Sequence, residues 1–187
     1  MAEKSTGEQA WEGLWIIDRA SSKAEFSVRF LTVARTTGAF GEVGGTIVFD
    51  EETPERSSVE ATIDVTSIDT GNEKRDEDLL EERFLDADSF PKMSFESTWV
   101  EPEGGHMRVT GDLTIRDVKK EIELDVRYKG LSTDGSGSQR AAFDAETTLS
   151  REDFAVNWGG TAGRALVGDT VDVKLYLEAI KRGFAGR

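Results

Sequence analysis

The sequence predicts an all-β domain that closes into an eight-stranded antiparallel barrel with one short helix near one mouth. Two observations lead to this prediction. Apolar residues recur at every second position in run after run, and the stretches between the runs are rich in turn-forming residues. A two-sheet sandwich would show the same period. The barrel is favoured because closure removes the exposed sheet edges that invite aggregation.

The strands are predicted from the alternating runs. In the clearest run, residues 59–65, apolar side chains alternate with Glu60, Thr62 and Asp64. Residues 24–30 alternate in the same way, which is typical of a strand with one face in water. The other predicted strands are 47–49, 93–100, 107–115, 121–128, 141–149 and 171–179. The stretches 101–105 and 133–138 contain Gly with Pro, Asp or Ser and predict hairpin loops.

One segment departs from the two-residue period. Thr70 and Glu73 have the spacing of a capping box, a signature of a helix start. A helix is predicted over about 73–84, with Leu79, Leu80 and Phe84 on its apolar side. Because it lies between strands, this helix is expected to cover one mouth of the barrel.

Length, charge and composition limit the class of protein. The 187 residues fit one domain, predicted at 14–180 between a flexible arm at 1–13 and a flexible tail at 181–187. The formal net charge of −14 makes nucleic acid an unfavourable partner. The absence of cysteine excludes disulfides and thiolate chemistry. With neither an N-terminal apolar run nor the ~20 apolar residues of an integral membrane segment, a cytoplasmic protein is expected.

The sequence contains no recognisable catalytic motif. The single histidine, His106, falls at the predicted 101–105 hairpin loop and cannot form a three-ligand zinc site alone. Neither a Gly-x-Ser-x-Gly elbow nor a glycine-rich phosphate loop is present. The acidic residues at 76–82 lack the ligand spacing of a calcium loop. No catalytic residue, metal site or cofactor is therefore predicted.

A series of short motifs runs in order from about residue 14 to residue 179. The most specific is the stretch 63–72, followed by Arg75-Asp76 and Leu79; others lie at 15–18, 26–29, 84–86, 111–116, 150–154 and 167–171. Together they resemble the YceI family, named for a bacterial lipid-binding protein. The resemblance implies a lipocalin-like eight-stranded barrel whose apolar pore takes a polyisoprenoid chain, such as a prenylated quinone or a prenyl phosphate.

Candidate ligand-binding residues follow from the apolar faces of the strands and from the helix motif. Arg75 is the candidate for the polar head group, because its guanidinium is a permanent donor with a planar fork, and Asp76 is placed to orient it. The alternative for this pair is a structural ion pair or a loop hydrogen bond, and Arg116 and Arg151 are expected to brace loops. The predicted lumen residues are Phe26, Val28, Phe30, Ile63, Phe95, Trp99, Leu124, Phe143 and Leu175.

Three functions are compatible with the sequence. The first is carriage or storage of a long isoprenoid lipid without catalysis. The second is a filled barrel that acts by binding another protein or by forming a homodimer, for which Leu31, Val48 and Val100 on otherwise polar faces are the only hints. The third is an enzyme acting on a small apolar substrate, which requires inward titratable groups with shifted pKa values. The apolar inner faces favour the first.

Overall fold

A computed structural model describes residues 13–31, 33–157 and 166–182, so most of the predicted arm and tail lies outside the described residues. Within these ranges the chain forms eleven strand segments and one α-helix. Their bounds are β1 Leu14–Ile17, β2 Lys23–Phe30, β3 Ala34–Phe40, β4 Val43–Val48, β5 Ser58–Asp64, β6 Ile68–Asp69, α1 Glu73–Leu80, β7 Lys92–Glu103, β8 His106–Ile115, β9 Val118–Thr133, β10 Gln139–Ser150 and β11 Val167–Lys181.

The eleven segments make up the eight strands of the barrel, because three of these strands are each interrupted and so count as two segments. The interrupted strands are β1 with β2, β3 with β4, and β5 with β6. β1 and β2 both pair with β11 and are separated by a single 3-10 turn. In the next interrupted strand, β3 pairs with β2 and β4 pairs with β1. In the third, β5 pairs with β4 and β6 pairs with β3. Antiparallel pairing from β5 through β7, β8, β9 and β10 to β11 completes the ring. The predicted eight-stranded barrel with one helix is confirmed.

The hairpin loop predicted at 101–105 is shorter in the structure. β7 continues through Pro102 to Glu103, and only Gly104 and Gly105, both with positive φ, make the turn. Pro102 is tolerated because β5 pairs with β7 only as far as Glu96, so the missing N–H breaks no ladder on that side. His106 is therefore the first residue of β8 and not a loop residue.

Helix α1 is also shorter than predicted, ending at Leu80 instead of near Phe84. Its N-cap is Asn72, whose side chain accepts from the N–H of Arg75 at 3.0 Å, and not Thr70. Acidic residues continue past its end, and the last turn contains no basic residue. Negative charge at this end is repelled by the negative pole of the helix dipole, which disfavours a longer helix. The chain then turns back at Asp86, with φ of 49°, and buries Phe84.

Packed side chains lie at both ends of the barrel. At the end away from the helix, the rings of Phe49, Tyr128 and Phe143 lie with centroids 4.8–5.4 Å apart. At the helix end, Leu79 of α1 and Leu85 join a buried apolar cluster with the neighbouring strands. The space between these two groups is the interior of the barrel.

Arg140 links three parts of the chain near the barrel end away from the helix. Its Nη1 lies 2.7 Å from Asp18 Oδ2, and its Nε lies 3.1 Å from Asp134 Oδ2 in the β9–β10 turn. The hydrogen bond from Arg140 is the main reason that the pKa of Asp18 is lowered. The pKa of Asp134 is lowered first by the Ser136 hydroxyl and then by the Ser138 N–H and Arg140.

Acid is therefore expected to destabilise the barrel partly through these two carboxylates. A carboxylate whose pKa is lowered by folding stabilises the native state above its unfolded pKa of about 3.9, and this stabilisation is lost as the pH falls through the folded value. Urea unfolding at pH 7, 5, 4 and 3 measures this effect. Arg140→Gln should have a lower free energy of unfolding than wild type at pH 7, and the difference between the two proteins should become smaller below about pH 4. A gap that stays constant down to pH 3 would contradict this explanation.

Candidate functional site

The barrel encloses an apolar cavity of about 620 Å³, within the range of about 300–1,000 Å³ typical of small-molecule sites. At one end its wall includes Phe49 and Phe143 of the aromatic closure, and at the helix end it includes Thr70 and Arg75. Phe30 also lines it and is 36% exposed, so the wall reaches the surface beside the β2–β3 turn.

The structure places eight of the nine predicted lumen residues in the wall of this cavity. Alternation along each strand sends one set of side chains inward, and the predicted sets were the inward ones. These eight are Phe26, Val28, Phe30, Ile63, Phe95, Leu124, Phe143 and Leu175. That they contact a ligand stays a prediction.

Trp99 was wrongly assigned to the lumen. It lies on the outside of the barrel with 63% of its surface exposed. The reason is a β-bulge: Ser97 is opposite Gly111, but Trp99 is opposite Thr110, so the inward face of β7 changes from odd to even positions. Val100, taken from the sequence as a hint of an outer patch, is consequently buried and lines the cavity. Leu31 is exposed, as expected for an outer residue.

Several wall residues were not predicted from the sequence. Some lie on strands whose alternation was visible, such as Val109 on β8, and could have been found from that pattern. Others come from the helix and from irregular segments, where no two-residue period marks an inward face. The main examples of the second kind are Leu79, Leu85, Phe154 and Val156.

Arg75 and Asp76 are both held by Thr70. Arg75 donates from Nε to the Thr70 hydroxyl at 2.8 Å and from Nη2 to the Thr70 carbonyl at 2.9 Å. Asp76 Oδ1 accepts from the N–H and the hydroxyl of Thr70 at 2.9 and 2.6 Å. Arg75 lines the cavity and Asp76 does not. The loop hydrogen bond considered from the sequence is therefore present, and Asp76 orients Arg75 through Thr70.

Four charged residues line the cavity in the described part of the chain: Glu25, Arg29, Arg75 and Arg151. The Glu25 carboxylate lies 2.6 Å from Lys23 Nζ. Arg151 is buried and donates to the carbonyls of Gly168, Val156 and Val167 at 3.0–3.1 Å, so it braces the loop as predicted.

Arg116 is the other arginine that was expected to brace a loop. It donates to the Phe84 carbonyl at 3.1 Å and so ties the β8–β9 turn to the segment after α1. It does not line the cavity.

The described residues contain no group of His, Cys, Asp and Glu that could hold a metal ion. His106 lies on the outside at half-exposure, with Nδ1 2.6 Å from Asp125 Oδ1. Across the same ranges, no helix has the length and apolar character needed to cross a bilayer. The cavity thus offers a long apolar wall with a few polar groups at the helix end.

Comparison with known proteins agrees with this geometry. The model of the YceI-like domain matches residues 15–179. The chain is 34% identical over 142 residues to Protein YceI of Salmonella newport strain SL254, covering 75% of this chain and 74% of that protein. It is 36% identical over 132 residues to the UPF0312 protein ECA1782 of Pectobacterium atrosepticum, covering 71% of this chain and 69% of that protein.

Solved structures show the same barrel. BcnA of Burkholderia cenocepacia superposes with a TM-score of 0.75 at 27% identity, covering 87% of this chain and 98% of that one. A polyisoprenoid binding domain from Saccharophagus degradans superposes with a TM-score of 0.71 at 15% identity, covering 91% and 99%, which shows a shared fold. From the family match over most of the chain and the two sequence relatives, we conclude that this protein belongs to the YceI family.

Proposed function

We propose that the protein binds a long apolar lipid of the isoprenoid type inside its barrel and carries or stores it without catalysis. The observation that supports this most directly is the cavity of about 620 Å³ with a wall formed mainly by aliphatic and aromatic side chains. Each methylene group moved from water into such an environment contributes about 0.8 kcal/mol. An apolar chain of several isoprene units would therefore bind tightly even after its ordering cost is subtracted.

The polar groups of the wall favour binding over a reaction. General acid–base chemistry requires titratable groups placed within hydrogen-bonding distance of the reacting atoms. On the described wall, the single carboxylate is engaged by Lys23, and Arg151 is engaged by backbone carbonyls. The described wall therefore contains no pair of titratable side chains that would support the enzyme alternative. The filled-barrel alternative conflicts with the size of the cavity.

The comparisons support the choice of lipid. The Saccharophagus degradans domain of the same fold is described as polyisoprenoid binding. A branched, flexible hydrocarbon chain suits a long apolar interior closed at one end by aromatic rings. The apolar wall suits the hydrocarbon chain of a prenyl quinone and that of a prenyl phosphate equally.

Native mass spectrometry of the purified protein, combined with organic extraction, tests this proposal. We expect a bound mass of one lipid per chain, either retained from expression or acquired on incubation with prenyl quinones and prenyl phosphates. The same spectra report whether the protein is a homodimer. A ligand-free mass that stays unchanged after both incubations would overturn the proposal.

A further inference from the structure

We propose that the lipid carries an anionic head group, a phosphate or a carboxylate, and that Arg75 selects it at the helix end of the cavity. This inference rests on the proposed lipid-binding function and goes beyond it by naming the chemical class of the head. Its basis is the hydrogen bonding of Arg75 and the balance of charge along the cavity wall.

The guanidinium of Arg75 is anchored but only partly used. Nε and Nη2 donate to Thr70, which fixes the plane of the group. Nη1 has no hydrogen-bond partner among the described residues. In the same part of the chain, no carboxylate oxygen lies within 4.0 Å of the Arg75 guanidinium, the distance that defines an ion pair. Because Thr70 and Arg75 both line the cavity, the anchored cation faces the space in which a ligand head would lie.

A permanent cation on an apolar wall favours an anion as its partner. A guanidinium cannot lose its proton in a protein, so burial cannot neutralise it. A half-buried charge next to apolar surface is stabilised most by an opposite charge that also accepts its hydrogen bonds. A quinone carbonyl would accept one hydrogen bond from Nη1, but it would leave the charge uncompensated.

Among the other charged residues of the wall, Arg29 adds positive charge, whereas Arg151 is paired with Glu152 at 4.0 Å. Three arginines and one glutamate line the cavity, although the chain as a whole has a formal net charge of −14. The glutamate, Glu25, is paired with Lys23 at 2.6 Å. Arg29 is exposed and has no ion-pair partner among the described residues. A locally positive wall in an acidic protein attracts anions to this one region.

The test compares two ligands with the same apolar chain, farnesyl monophosphate and farnesol, by measuring the Kd of each for the full chain. Wild type is expected to bind the phosphate at least about tenfold more tightly, a difference of about 1.4 kcal/mol. In Arg75→Gln, this preference should fall to less than about twofold, because the affinity for the phosphate falls much more than the affinity for farnesol. Farnesol binding that persists in the variant shows that the variant keeps its cavity.

Arg35→Gln is the matched control. Arg35 is exposed on β3, does not line the cavity, and its substitution removes the same charge from the protein. This variant should keep the wild-type preference for the phosphate. If it loses as much preference as Arg75→Gln, general charge and not Arg75 determines the selectivity, and the inference is overturned.

The remaining outcomes separate this inference from the proposed function. Equal binding of both ligands by wild type overturns the anionic head group and leaves lipid binding intact, whereas binding of neither ligand contradicts lipid binding itself. If Arg75→Gln binds neither ligand, the affinities of Arg75→Lys for both ligands are measured instead, because lysine retains the positive charge. A phosphate preference kept by the lysine variant supports the inference, and equal binding of both ligands by that variant overturns it.

Discussion

Replacing Ala145 with tryptophan is expected to weaken lipid binding by roughly 100-fold, or about 2.8 kcal/mol, while the barrel stays folded. Ala145 lies on the inner face of β10, is 3% exposed and lines the cavity. Its neighbours across the two adjacent strands, Val126 and Leu175, line the cavity too. A tryptophan at this position would occupy space that the lipid chain needs.

The stability of the variant should not fall, because the indole would enter existing empty space. Overpacking is costly when a well-packed core must move, whereas filling a cavity commonly stabilises a protein. Lipid binding is measured by titration with a prenyl ligand, and stability by urea unfolding.

The matched control is Ala142→Trp, which makes the same substitution on the outer face of the same strand. This variant should bind lipid like wild type. Wild-type affinity in Ala145→Trp would show that the lipid does not occupy the middle of the barrel. Equal loss in both variants would show that the tryptophan acts through folding.

A second large effect is expected at Gly45, where substitution by alanine should lower the free energy of unfolding by about 3 kcal/mol. Gly45 has φ of 140°, which L-residues with a side chain rarely adopt. An added Cβ would also overlap the carbonyl oxygen of Glu60 and lie 2.8 Å from the Cα of Ala61. Both contacts are with the backbone of β5, so neither can be relieved by a rotamer change.

Gly41→Ala is the control for this prediction, since Gly41 precedes β4 and an added Cβ there meets no atom within 4 Å. Its φ is also outside the positive region. Urea unfolding should therefore show a change of about 0.5 kcal/mol or less for Gly41→Ala. Similar losses at both positions would mean that the close approach of β4 and β5 is not the cause.

The sequence was sufficient where local pattern and structure coincide. Residues 24–30 and 59–65 alternate cleanly, and their predicted inner residues Phe26 and Ile63 do line the cavity. By contrast, β3 was not predicted, since Arg35, Thr36 and Thr37 form a mostly polar run. This strand forms because all seven of its residues pair with β2. Such pairing joins two separate segments, so no local sequence pattern reveals it.

The bulge in β7 is the clearest case of a feature that only the assembled sheet decides. Nothing in the run from Phe95 to Val100 marks the position where the alternation shifts, yet the shift moves Trp99 outside and Val100 inside. Because side chains alternate with a period of two, a single extra residue reverses the face of all that follow. An isolated reading of this strand therefore assigns its second half to the wrong face.

By itself, then, the sequence determined the all-β class and most of the inner face, because these depend on local periodicity and turn chemistry. The tertiary structure alone decided that the interior holds a cavity and where α1 ends. It also decided that Arg75 reaches the cavity wall with one nitrogen unpaired among the described residues. These features depend on how side chains from distant strands fill a common space, and that filling is not encoded in any single segment.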